Sequence, residues 1–141
     1  CAAFGPNSDI VISGSKDASI KSWNLIGNGT LFRDFRMHSD TVLGLTWNSD
    51  GSRFASTGHD GQTIVWSPDS ETPVRIMKVN ARHVMYSVCF GPEAVNREGR
   101  LVGVGHYPEL TFWKVRKGKR VQRMVLPRKG WTTCVQFSPN G

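Results

Sequence analysis

The chain has 141 residues, a formal net charge of +7 and three cysteines. No stretch reaches the roughly 18–20 apolar residues of a helical membrane span. An odd cysteine count with no Cys-x-x-Cys pair argues against a disulfide framework and for reduced thiols in a cytosolic or nuclear setting.

Taken in chain order, the segments repeat. Phe4-Gly5-Pro6-Asn7, Trp47-Asn48-Ser49-Asp50-Gly51, Phe90-Gly91-Pro92-Glu93 and Phe137-Ser138-Pro139-Asn140-Gly141 are turn-rich and stand 43, 43 and 47 residues apart. Trp23, Trp66 and Trp113 follow in step, 19, 19 and 23 residues after the first three aromatics. The four extra residues of the third unit fall in its first turn, 91–100. A fixed period of about 40–45 residues signals a propeller or a solenoid. Cys1, Cys89 and Cys134 each fall just before the opening aromatic of a unit, where small core residues are expected.

The second unit predicts four short strands: Val42 to Trp47, Arg53 to Thr57, Thr63 to Trp66 and Val74 to Val79. Between them lie the turns Asn48-Ser49-Asp50-Gly51, Gly58-His59-Asp60-Gly61 and Ser67-Pro68-Asp69-Ser70. Short strands at roughly ten-residue spacing, bounded by Gly, Pro, Asn, Asp or Ser, read as an antiparallel meander. No segment carries a sustained 3.6-residue apolar stripe, so no long helix is expected.

The run His38-Ser39-Asp40-Thr41-Val42, then Trp47-Asn48-Ser49-Asp50-Gly51, Ala55-Ser56-Thr57-Gly58-His59-Asp60-Gly61 and Ile64-Val65-Trp66 resembles a WD40 repeat. Unit one keeps Ile12-Ser13-Gly14-Ser15-Lys16-Asp17 and Ile20-Lys21-Ser22-Trp23-Asn24, and unit three is degraded. The resemblance implies an all-β fold, a WD40 β-propeller with four strands per blade. It divides the chain into blade one (1–37), blade two (38–80), blade three (81–127) and the start of a further blade (128–141). About three blades are too few to close a ring. The chain therefore reads as part of a larger propeller, or as one of several chains that complete one.

The family's structural hydrogen-bond set maps onto His38, Ser56, Asp60 and Trp66. Unit one retains Ser13, Asp17 and Trp23, and its histidine position would lie before Cys1. In unit three Tyr107 stands for the Asp and Gly103 for the Ser, and His83 is out of register with His38. Arg128 takes the histidine position in unit four. The Asp usual after the Trp is Asn24, Ser67 and Lys114 here. These departures imply a less rigid blade three.

All of the excess charge is local. Lys114, Arg116, Lys117, Lys119, Arg120, Arg123, Arg128 and Lys129 give eight bases and no acid between 114 and 129; the other ten Lys and Arg face 11 acids. The segment suits nucleic-acid phosphates or an acidic protein surface. It equally suits a solvated edge that resists pairing with other sheets. It lacks the interleaved aromatics of a base-stacking groove.

Catalytic, metal and cofactor readings find little support. His59 and His106 share a repeat position, but with His38 they show no His-x-x-x-His or His-Glu-x-x-His spacing. An Asp-His-Ser group recurring between units is architecture rather than a triad. Cys89 has no adjacent base, and Gly103-x-Gly105 opens no helix. The expected role is a non-catalytic scaffold among other protein subunits, cytoplasmic or nuclear, with no cofactor and no membrane partner. Its candidate binding face holds Lys16, Thr41, His59, Val84, His106 and Trp131. The alternative is an RNA- or DNA-associated subunit working through 114–129.

Overall fold

A computed structural model describes residues 1–26, 28–79, 83–92, 99–127 and 129–138. The described residues form twelve strands and no helix. The first sheet runs β1 (Ala2–Phe4), β2 (Ile10–Gly14), β3 (Ser19–Asn24) and β4 (Thr30–Arg36). The second runs β5 (Val42–Trp47), β6 (Phe54–Gly58), β7 (Gln62–Ser67) and β8 (Ser70–Lys78). The third runs β9 (Met85–Phe90), β10 (Arg100–Gly105), β11 (Glu109–Lys114) and β12 (Lys119–Val125). Every neighbouring pair is antiparallel and consecutive in sequence, so each sheet is a plain meander and one blade of an all-β propeller fold.

The turns explain why the strands stop where they do. Gly61, between β6 and β7, has φ +71°, a left-handed value that glycine adopts without steric cost. Its counterpart in the first sheet is Ala18 at φ +67°, where a Cβ bears that cost. Gly58 and Gly105 are needed for close approach. A Cβ on either would press into the backbone of the entry residue of its own blade, Thr41 or Val84.

Two cores lie between the sheets. Ile12, Ile20 and Phe35 of the first sheet pack with Val42, Phe54, Ile64 and Trp66 of the second. Phe35 meets the faces and edges of Phe54 and Trp66 at centroid distances of 5.1 and 5.3 Å. Ala55, Val65 and Met77 of the second sheet pack with Met85, Val88, Leu101, Trp113 and Val115 of the third. Alternate residues of the second sheet thus feed opposite cores, the period-2 consequence of the strand pleat.

The blades are joined by a recurring backbone bond. The Val42 N–H donates to Ser15 O at 3.0 Å, and the Thr132 N–H donates to Gly105 O at 3.2 Å. The aromatic packing recurs too: Trp47 lies against Gly5, and Phe137 against Gly91. Residues 129–138 therefore sit on blade three as β5 sits on blade one. Among the described residues they form no strand.

Two sequence expectations need adjustment, and a third lies mostly outside the described residues. The fourth strand of blade two starts at Ser70 rather than Val74, because Ser67 pairs with Ser70 across a two-residue turn. The cysteines are not core residues: Cys1 and Cys134 are exposed and Cys89 is half-buried. Cys1 precedes β1 and exchanges backbone hydrogen bonds with Gly14 of β2, and Cys134 lies in the segment that follows blade three. Of the extended turn of blade three, 93–98 lie outside the described residues; its base is closed by the Gly91 N–H donating to Arg100 O at 2.8 Å.

Candidate functional site

Blade two contains a continuous polar chain. The Trp66 Nε1–H donates to Ser56 Oγ at 2.8 Å. Ser56 Oγ lies 2.8 Å from His38 Nε2, and His38 Nδ1 lies 2.8 Å from Asp60 Oδ2. Asp60 also accepts from the backbone N–H groups of Ser39 and Gln62 at 3.0 Å each, and from Gln62 Nε2 at 2.9 Å. One tautomer satisfies every atom: Nδ1–H donates to the carboxylate and Nε2 accepts the serine proton. Burial by itself would raise the Asp60 pKa, but the hydrogen bonds from His38, Gln62 and Ser39 hold it down at about 2.

The Ser56-His38-Asp60 order has the form of a hydrolytic triad. Ser56 is fully buried, and its oxygen is occupied by the Trp66 donor. No substrate carbonyl reaches it, so the set ties the blade entry at His38 to the β6–β7 turn and to β7.

The other blades keep fragments of this chain. In blade one the Trp23 Nε1–H donates to Ser13 Oγ at 2.9 Å. Asp17 turns to Ser19 instead, accepting from its N–H at 2.9 Å and its hydroxyl at 2.6 Å. Those bonds, with one from Ser15, lower its pKa to about 2. In blade three the buried Trp113 ring occupies the space a residue-103 side chain would need: a Cβ on Gly103 would lie 2.8 Å from Trp113 Cζ3. His83 packs against Tyr107 at 3.9 Å between centroids, a ring contact where blade two has the His38–Asp60 hydrogen bond.

The candidate face forms at the blade entries. His59 and His106 each donate a backbone N–H, at 2.9 Å, to the residue entering strand one, Thr41 and Val84 respectively. Between blades one and two, the Val42 N–H donating to Ser15 O sets the Lys16 turn beside the blade-two entry. Between blade three and the segment that follows it, the face becomes aromatic. Trp131, 64% exposed, stacks on His106 at 4.6 Å and 30°. Tyr86 lies 6.3 Å from Trp131, with its hydroxyl 3.4 Å from His106 Nδ1, and Tyr107 meets the His106 edge at 5.8 Å. His106, Val84 and Trp131 are thus gathered in one place, while Lys16, Thr41 and His59 belong to the earlier entries. Sequence reading missed Tyr86, His83 and Tyr107 as members, since only the fold brings residues 83–86, 106–107 and 131 together.

The basic segment is not one surface. All of β12 is exposed, but cross-strand pairing sets Arg120 opposite Trp113 and Arg123 opposite Thr111, whereas Lys119 lies opposite Lys114. Directly paired residues share a face, so Arg120 and Arg123 project from one face of the sheet and Lys119 and Lys114 from the other. Arg123 is also ion-paired to Glu109. Arg116 and Lys117 sit in the exposed turn before β12, Lys129 is exposed beyond it, and Arg128 lies outside the described residues. Among the described residues, no group of three or more His, Cys, Asp or Glu side chains is arranged to hold a metal ion.

Known proteins agree with this architecture. The WD40 family profile (WD domain, G-beta repeat) matches residues 1–24 and 29–67. Apoptotic protease-activating factor 1 of Rattus norvegicus is 30% identical over 139 residues, covering 92% of this chain and 11% of its own length. Small ribosomal subunit protein RACK1y of Oryza sativa subsp. japonica is 36% identical over 94 residues, covering 65% of this chain and 27% of its own length. Pre-mRNA-processing factor 17 of Mus musculus is 29% identical over 119 residues, covering 84% and 20%. The chain spans little more than a quarter of the longest-covered of these relatives. The repeat spacing, the three meander sheets and the profile match agree: the chain belongs to the WD40-repeat family.

Proposed function

We propose that the chain is a non-catalytic scaffold element that binds a partner protein through the aromatic patch at the blade-three entry. The observation that carries this reading is Trp131, 64% exposed yet stacked on His106. Tryptophan is enriched among the few interface residues that dominate binding energy, and a ring already held by a neighbour loses little freedom on binding. A ribosomal protein and a pre-mRNA-processing factor among the relatives support a place within a multi-subunit assembly. The occluded Ser56 supports the non-catalytic half of the reading.

The full-length protein isolated from cells, with and without nuclease, tests it. Partners retained after nuclease should be lost from Trp131→Ala, by at least about 2 kcal/mol or some thirtyfold in affinity if Trp131 is an anchor. Retention of all partners by that variant would remove the patch from consideration.

The exposed basic turn and β12 support a second reading, contact with RNA or DNA phosphates. Its signature is a steep salt dependence, a log–log slope of about −0.9 for each duplex-DNA phosphate neutralised. The division of the bases between two sheet faces favours the first reading, because one backbone track cannot engage both.

A further inference from the structure

We propose that Thr72 is a phosphorylation site for a proline-directed protein kinase, and that Arg75 and the basic turn of blade three hold the phosphate it acquires. The site lies on β8, the outer strand of blade two and an open sheet edge. Ser70 pairs with Ser67 and Pro73 with Trp66, so Glu71 and Thr72 have no cross-strand partner and loop out of the ladder. Both are exposed. A kinase reads its acceptor as an extended segment; here that segment is presented without unpairing a strand. The Thr72 hydroxyl is 2.7 Å from Ser70 Oγ, a surface bond that water replaces readily.

Thr72 precedes Pro73; a second such dipeptide, Ser67-Pro68, lies in the same hairpin, and a third, Ser138-Pro139, lies far from it in sequence. Ser67 is the poorer acceptor. It is half-buried, sits in the ladder opposite Ser70, and its Oγ accepts the Asp69 N–H at 3.4 Å.

Three residues on from Thr72, Arg75 reaches across to blade three. Its guanidinium donates to Arg116 O at 3.4 Å and to Val74 O at 2.9 Å, and its Cδ would lie 3.1 Å from a Cβ on Gly118. It therefore covers the turn that carries Arg116, Lys117, Lys119 and Arg120. The acids flanking Thr72 are Asp69 and Glu71. A phosphate of about −1.5 to −2 charge is repelled by them and drawn to Arg75 and the basic turn, exchanging carbonyl acceptors for charge-assisted bonds.

The transfer is ordinary phosphoryl chemistry. Thr72 Oγ1 loses its proton to the kinase base and attacks the γ-phosphorus of ATP. The new P–Oγ1 bond replaces the bridging β–γ P–O bond, and ADP leaves.

The test is incubation of the full chain with a proline-directed kinase and Mg-ATP, read by mass spectrometry, followed by timed trypsin cleavage. Within the tryptic peptide 54–75, which excludes Ser138-Pro139, one phosphate should appear, persist in Ser67→Ala and vanish in Thr72→Ala. Cleavage after Arg116, Lys117, Lys119 and Arg120 should slow by about threefold to fivefold on phosphorylation, the scale of an exposed charge pair, and Arg75→Ala should abolish most of that protection. No phosphate on Thr72, under conditions where a control peptide is fully modified, overturns the site. Equal cleavage of the two forms overturns the clamp.

Discussion

Asp60 shows how one residue can set the acid limit of a blade. Its side chain is 3% exposed and its pKa is held at about 2, against 3.8 for a free aspartate. A depressed carboxylate pKa contributes stability that is complete above the unfolded value and disappears as pH falls through the folded one. The contribution is about 2 kcal/mol near neutral pH, lost between about pH 4 and pH 2. Urea midpoints measured across that range should fall more steeply for the wild type than for Asp60→Asn, and the two should converge at the acid end. Asp17 and Asp50 also titrate below the usual range, but they are common to both proteins and cancel in the comparison. Parallel curves would mean that Asp60 is not the ionised end of the chain.

At the scale of the strand, the third sheet has taken a different solution from the second. The repeat pattern suggests restoring a serine at Gly103, giving Trp113 the partner that Trp66 finds in Ser56. The packing argues the reverse. A Cβ there lies 2.8 Å from both Trp113 Cζ3 and Met85 Cε, and only the methionine end can swing away. Gly103→Ser should therefore destabilise by about 1–3 kcal/mol, the usual cost of overpacking, as a drop in denaturation midpoint. A gain in stability would show that the Trp113 ring can tilt to make the missing bond.

The same contrast marks what could be read from sequence. The strand pattern was visible because Gly, Asn, Asp and Trp recur at fixed offsets. The start of β8 was not, since the bulges that place Pro73 opposite Trp66 depend on how Trp66 is buried. The substitution of Asp60 by Tyr107 was visible, but not the His83 ring that meets it. The capture of Asp17 by Ser19 was hidden too. Both Ser19 donors converge on Asp17 Oδ1, a side-chain geometry that residue order alone does not specify. Of the candidate binding face, His106 and Trp131 could be named from their repeat positions. Their stacking is a tertiary fact, made by the bond that seats Thr132 on Gly105.

Across the whole molecule, blade two is the only described sheet with a core on each side. All five residues of β6 are buried, as are four of the six in β7, while all seven of β12 are exposed. Stability in repeat proteins is close to a sum of unit and neighbour terms, and hydrogen exchange reports it locally. Exchange followed by mass spectrometry should find β6 and β7 slowest, β10 faster, and β4 and β12 fastest. Equal protection of β6 and β10 would mean that Gly103 and Tyr107 cost blade three nothing.

The bonds that join the blades have a mechanical side. Contacts between successive sheets gather on the inner strands, β1 and β2 with β5, and β5 and β6 with β9; near the rim the sheets meet through β4 with β8 and through Arg75 against the turn before β12. The backbone link between Ser15 and Val42 lies at the entry of the inner strand. Each sheet is thus pinned like a page at the spine and loose at its margin. Tension on β12 is borne by its ladder with β11 one bond at a time, so the strand peels under a load that leaves the spine intact. Force arriving at the rim is spent there, and the loop face carrying Trp131 keeps its geometry.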